Sequence, residues 1–281
     1  MGTLKNRIDM IGYITVKNSS PNGDVDMNNM PRQDVDGYGL MSDVCLKRVI
    51  RDNVALLYGE KEGYDIYISN DGVALESKII ECLDAVKEKD LKGSEHGKLT
   101  KEKLCKKYFD IRTFGAVITG LSKIPGSDAQ IMGPACVTFA ESLAPITPQM
   151  ITISRVSVQT EKDNDQKSSE LGKKWIVPYA VYRFEVHLSV AAAEKTGFSE
   201  EDLSVLIEAI RTMYENRHSA SKSDLSLTKL FVFRHDSKLG NCPMSKLSSL
   251  VKIEKVTPAI GKAYYDISID QENIPQGVSL L

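Results

Sequence analysis

Hydrophobic and polar positions alternate at the start of the chain. Across residues 7–17, Ile8, Met10, Gly12, Ile14 and Val16 share one period-two face between charged ends, which predicts a half-buried strand. Residues 18–39 break the pattern: Asn, Asp, Gly, Pro and Ser dominate, predicting a long loop of the kind that usually serves function. Ser42 and Asp43 then open a helix, one as its cap and the other against the positive end of its dipole. At about 100° per residue, Leu46, Val49, Ile50, Asn53 and Leu57 fall on one side of it. Lys47, Arg48 and Arg51 fall on nearly the opposite side, an expected solvent-facing basic stripe. Residues 58–110 read as a charged helical insertion, with Ile79, Ile80, Leu83 and Val86 at helical spacing and a Lys-rich end.

Strand patterns return at 135–143, 151–160 and 175–190, the last with Tyr182, Phe184, Val186 and Leu188 alternating against Arg183, Glu185, His187 and Ser189. The polar segment between them places a hairpin tip at 160–175. Ser199 caps a further helix with Glu200, Glu201 and Asp202 in its first turn and an apolar stripe of Leu203, Leu206, Ile207, Ile210, Met213 and Tyr214. A strand at 227–235 follows. The order strand, helix, insertion, strands, helix, strand predicts an α+β, ferredoxin-like (RRM-like) domain spanning 1–281, elaborated by helices and a long hairpin.

Composition narrows the function classes. The chain has 281 residues, 42% of them apolar and 26% charged, enough for a sizeable core. No apolar run approaches the roughly 18 residues a membrane span needs, and the alternating first residues do not resemble a secretory signal. Five scattered cysteines without a C-x-x-C pair suggest neither a disulfide framework nor a zinc site, and fit a reducing cytoplasm. The four histidines are dispersed and read as isolated surface or packing residues. With 36 basic against 38 acidic side chains, the net charge is −2, so any nucleic-acid site must be local.

Candidate chemistry is sparse. Asp24, Asp26, Asp34 and Asp36 crowd the first loop and could hold Mg²⁺ or Ca²⁺, but their spacing does not match an EF-hand, and turn formation explains them without any ligand. No nucleophile elbow and no phosphate-binding glycine loop is present. The stripe of Lys47, Arg48 and Arg51 could track a phosphate backbone, while the aromatic run of an ordinary RNA-recognition motif is missing. No cofactor is expected.

Several collinear blocks carry a resemblance: Pro21-Asn22-Gly23-Asp24, Met30-Pro31-Arg32, the helix from Ser42 to Arg51, Phe109-Asp110-Ile111-Arg112-Thr113-Phe114-Gly115-Ala116, Gly133-Pro134, Ile176-Val177-Pro178-Tyr179, Thr196-Gly197-Phe198-Ser199 and Phe233-Arg234-His235-Asp236 through Asn241. Together they resemble the Cas-seven backbone subunits of CRISPR type I surveillance complexes (Cascade), in the type I-C form called Csd-two. The resemblance implies an RRM-like palm, helical fingers at 58–110 and a thumb hairpin whose tip lies at 160–175. It also implies copies stacked head to tail along a crRNA guide, other Cascade subunits as partners, target DNA reached through the guide, and no membrane. Carried over, Lys47, Arg48 and Arg51 would grip guide phosphates, and Asn22, Gly23 and Arg32 would border the guide. Gln130, Ile131, Met132 and Gly133 resemble the segment lining a kinked base, with Met132 as wedge, and Lys173 and Lys174 sit where the thumb returns. The family resemblance implies no catalysis. Related type III backbone subunits cut RNA through a first-loop Asp, which makes Asp24 or Asp34 the rival candidates for a metal-dependent ribonuclease.

Overall fold

The computed structural model describes residues 2–84, 93–118, 129–155 and 170–281. Strand β1 (Ile8–Ser19) leads into the first loop, which holds two short paired strands, β2 (Gly23–Asp24) and β3 (Met30–Pro31), and ends in β4 (Tyr38–Met41). Helices α1 (Asp43–Tyr58), α2 (Leu75–Asp84), α3 (Gly93–Lys107) and α4 (Phe109–Phe114) follow, then the antiparallel pair β5 (Gly115–Ile118) and β6 (Ala129–Met132). Next come β7 (Ala135–Val137), β8 (Ala140–Pro145), β9 (Gln149–Arg155) and the long β10 (Glu170–Leu188). The chain continues through α5 (Val190–Thr196), α6 (Glu200–Arg211) and β11 (Leu225–His235). It closes with α7 (Met244–Ser248), β12 (Val251–Val256), β13 (Tyr264–Ile269) and β14 (Val278–Leu280). Of the hairpin tip expected at 160–175, residues 160–169 lie outside the described residues, and 170–175 are the first part of β10, paired with β9.

The main sheet is ordered β14-β11-β1-β10-β8-β4, with β7 and β9 also pairing with β10. Every pairing is antiparallel. Strand β1 sits at its centre, in register from Ile8↔Leu188 to Ser19↔Val177 on one side and from Ile8↔Arg234 on the other. Gly12 lies opposite Phe184, and a Cβ there would overlap the Phe184 ring.

The expectation of a half-buried β1 is corrected: the strand is buried on both faces along nearly its whole length. Ile8, Met10, Ile14 and Val16 meet α1 and α6 in the main core. On the other face Ile11 and Tyr13 pack with Phe233, Leu247, Leu250 and Ile267 in a core closed by the C-terminal segment. Alternation failed as a guide because the second face mixes polar Asp9 and Thr15 with Ile11 and Tyr13, and all four are buried there by segments distant in sequence. The elements after residue 241 had no expectation attached to them, and they are what cover this second face.

Both expected helix caps are present. Ser42 accepts from the Cys45 amide (3.2 Å) at the start of α1. At α6 the Asp202 amide donates to Ser199 Oγ (3.1 Å) while the Ser199 amide donates to Asp202 Oδ2 (2.9 Å), a reciprocal capping box. A separate core of Tyr67, Ile79, Cys82, Leu104, Cys105, Tyr108 and Ile111 joins α2, α3 and α4 to Ile118 and Ile131 of the β5–β6 pair.

Candidate nucleic-acid interface

The first loop is built by its own polar side chains. Asn22 Oδ1 accepts from the Ser42 amide (2.9 Å) and so ties the loop to the start of α1. Asp24 Oδ1 accepts from the Asp26 amide (3.2 Å), and Asp24 Oδ2 accepts from Arg32 Nη1 (3.0 Å). Asp34 Oδ1 accepts from the amides of Asp36 (3.0 Å) and Tyr38 (2.8 Å). These carboxylates are spent on turns and on one arginine. Among the described residues no group of three or more His, Cys, Asp or Glu is placed to hold a metal ion. Gly23 lies so close to the Asn29 backbone that a Cβ would crowd the Asn29 carbonyl oxygen.

The basic stripe of α1 needs correction. Lys47 and Arg48 are part-exposed, and each pairs with an acid one turn away: Lys47 Nζ with Asp43 (2.9 Å) and Arg48 Nε with Asp52 (2.7 Å). Asp52 is shared with Arg217. Arg51 is not on a solvent face. It is 7% exposed, its Nε donates to Asp110 Oδ2 (2.8 Å), and its guanidinium lies 5.1 Å from the centre of the Phe114 ring. The physical reason is α4: it arrives from 59 residues along the chain and covers that flank of α1 with a carboxylate. Arg112 of the same short helix grips Asp202 with two nitrogens (Nε 3.1 Å, Nη2 2.7 Å). The charged residues of the 109–116 block therefore form buried ion pairs between helices.

Lys173 and Lys174 come down β10 beside β9, opposite Thr152 and Ile151. They reach a groove of about 460 Å³ whose other wall is the first loop, at Gly23 and Asn29. Trp175 and Lys222 also line it. Lys174 Nζ donates to the Ala220 carbonyl, and the Ser20 amide donates to the Ser221 carbonyl (2.8 Å), stitching the 219–224 turn to the end of β1. The charges of Lys222, Arg217 and Arg32 all reach Cys45: burial pushes its thiol up, and those three cations pull the other way. Cations from three distant segments thus converge at the Ser19 end of the central strand.

Gln130, Met132 and Gly133 lie elsewhere. Met132 is 71% exposed, and Gln130 points out with Val117 from the same face of the β5–β6 pair, while Ile131 is buried. Gly133 is held by packing, since a Cβ would strike the backbone of Thr113 and Gly115. This segment joins the sheet at its other end, where Ala135 and Ile8 both pair with Leu188. From Ile8 to Ser19 is eleven residue steps of extended strand, about 35 Å. One copy of the chain therefore divides the expected residues into two groups. Asn22, Gly23, Arg32, Lys47, Arg48, Lys173 and Lys174 lie at one end, and Gln130, Met132 and Gly133 at the other.

Sequence reasoning missed Trp175, Lys222 and Arg217 here. A signal for Trp175 existed, an aromatic residue directly after two lysines on a returning strand; Lys222 had none, because only the turn at 219–224 brings it in.

Comparison with known proteins fits this architecture. The chain is 23% identical over 288 residues to a CRISPR-associated protein Cas7 of Haloferax volcanii, covering 95% of this chain and 81% of that one. Its fold is similar to a subunit of a solved CRISPR RNA-guided surveillance complex in a pre-nicking state, with a TM-score of 0.51 and 15% identity over 81% of this chain and 75% of the other. The family model for CRISPR-associated protein Cas7 matches residues 6–272, and the chain belongs to that family.

Proposed function

We propose that this chain is the crRNA-binding backbone subunit of a type I-C CRISPR surveillance complex. It polymerises along the guide and presents it for pairing with target DNA. The observation that carries this reading is the groove at the Ser19 end of β1, where the first loop meets Lys173 and Lys174 in a Cas7-family chain. Phosphate contacts of this kind position a strand without reading its sequence, which suits a subunit that must hold any guide. The ferredoxin-like palm is supported by the strand order β11-β1-β10-β8 with α1 and α6 on one face. The fingers are residues 58–110, and the β9–β10 hairpin is the base of the thumb.

Head-to-tail stacking gives both groups of residues one task. A single copy separates them by about the length of β1, so Met132 of one copy and the groove of the next bracket the same guide. Near-zero net charge favours such stacking, because strongly basic subunits would repel one another. Other Cascade subunits close the ends of the assembly in the cytoplasm, and all five cysteines are free thiols.

The subunit holds RNA without cutting it. A metal-dependent ribonuclease acting through Asp24 or Asp34 is the weaker reading, because both carboxylates are engaged in the loop's own hydrogen bonds. The test is to isolate the assembled complex, recover its RNA and add complementary RNA with Mg²⁺. Bound RNA of uniform length, retention that falls steeply with salt and an intact target are expected. Retention indifferent to salt would overturn the scaffold reading, and periodic cuts abolished by Asp24→Ala would establish the ribonuclease.

A further inference from the structure

We infer that the groove between the first loop and β10 is a seat for one nucleotide of single-stranded RNA, with its base stacked on Trp175 and its phosphates between Lys173 and Lys222. The inference rests on the guide-binding reading and deepens it by naming the contacts.

Three observations carry it. The first is charge that is free to act. Lys47, Arg48, Arg32 and Arg217 each have a carboxylate at ion-pair distance, which a phosphate must displace. Among the described residues neither Lys173 nor Lys222 has such a partner, and both line the groove. An unpaired cation gives the full counterion-release gain on meeting a phosphate.

The second is an aromatic residue in the right company. Trp175 is partly buried in the same wall, two positions along β10 from Lys173. Bases stack on aromatic rings whatever their identity, which is what a guide of arbitrary sequence requires. The third is the opposite wall. Asn28 and Asn29 both hold left-handed backbone (φ 51° and 58°), and the Asn29 amide donates to the Asp24 carbonyl (2.7 Å), turning the loop back to face β10. The result is a slot about 460 Å³ in volume, polar on one side and aromatic and cationic on the other.

Trp175 is the sole tryptophan, so intrinsic emission reports on this groove alone. The full chain is titrated with a fluorescein-labelled oligouridylate, a probe with little self-stacking. Anisotropy of the label is read in one experiment and tryptophan emission, with unlabelled oligomer, in another. Binding with quenched emission is expected. Trp175→Ala should weaken binding about 5- to 150-fold, the range for loss of one stacked base, with part of the affinity restored in Trp175→Phe. Lys173→Ala and Lys222→Ala should each lower the slope of log affinity against log salt by about 0.7.

Rising anisotropy with unchanged tryptophan emission overturns the nucleotide seat and leaves guide binding standing. So does unchanged affinity in Trp175→Ala, or an unchanged salt slope in Lys222→Ala. Absence of any anisotropy change, at low salt as well as high, overturns guide binding itself. The emission experiment needs no substitution, so the proposal stays testable even if Trp175→Ala does not fold.

Discussion

Arg51 separates a structural role from an RNA-gripping one, and truncating it to alanine tests which holds. In the folded chain its Nε donates to Asp110 Oδ2 (2.8 Å), and the two side chains are 8% and 1% exposed. Removing one partner of a buried ion pair leaves an uncompensated charge and costs about 3–5 kcal/mol. Asp110 keeps two backbone donors, the amides of Tyr67 (2.8 Å) and Ile68 (3.1 Å), which offset part of that cost. Loss of the contact with Phe114 adds on the order of 0.5–1 kcal/mol. The lower end, about 3 kcal/mol, is therefore the expected loss. At about 2–4 °C per kcal/mol for a chain near this size, Tm should fall by roughly 6–12 °C. Thermal unfolding followed by far-ultraviolet circular dichroism measures it, with Lys47→Ala as control. The exposed, within-helix pair of Lys47 is worth about 0–1 kcal/mol, so its removal should barely move Tm. Adding Asp110→Asn to Arg51→Ala should recover part of the loss, as coupled neighbours do. An Arg51→Ala chain that melts with the wild type yet no longer retains RNA would refute the structural assignment.

Other outcomes follow from the same contacts. Burial alone would raise the Asp9 carboxyl, but hydrogen bonds from His187 and His235 and the charge of Arg7 bring it below its usual value; in turn Asp9 and Glu185 push His187 up to about 9 from an ordinary 6.5. A raised folded-state value means this stability is fully present below pH 6.5 and is lost as pH rises through 9. Tm should therefore decline across that window and decline less in His187→Gln; equal slopes in the two proteins would count against the assignment. Gly12→Ala forces a methyl into the Phe184 ring and should cost about 1–3 kcal/mol as an overpacked core, with relief on adding Phe184→Leu. In denaturant titrations, an unchanged midpoint for Gly12→Ala would show that the strand shifts freely. Lys47→Ala should leave stability intact and lower the RNA salt slope by less than the value of about 0.7 for an unpaired cation, because a phosphate must first displace Asp43; an unchanged slope would remove Lys47 from the interface.

Local pattern was enough for several elements. The capped starts of α1 and α6, the alternation of β10 and the β11 strand are all short-range signals, and each is where periodicity and capping chemistry put it. Lys173 and Lys174 fell inside the segment read as a hairpin tip and were singled out only through the family resemblance; the structure places them on β10, paired with β9. What the chain alone left open depends on contacts between distant segments. Arg51 reads as solvent-facing on any helical wheel; only α4, bringing Asp110, turns it inward. His187 and His235 look isolated, and β1 joins them by offering Asp9 to both at 2.8 and 2.9 Å.

The amino-acid sequence by itself thus determined several of the longer strands and helices before residue 236 and where two of those helices begin, because these depend on neighbours within a turn or a strand, and its collinear blocks pointed to the family. The tertiary structure alone decided which cations are buried, that both faces of β1 are covered and that the expected RNA contacts fall at two ends of one sheet. Those outcomes follow from pairing across tens or hundreds of residues, where a single intervening carboxylate or glycine redirects a side chain that local periodicity would leave in water.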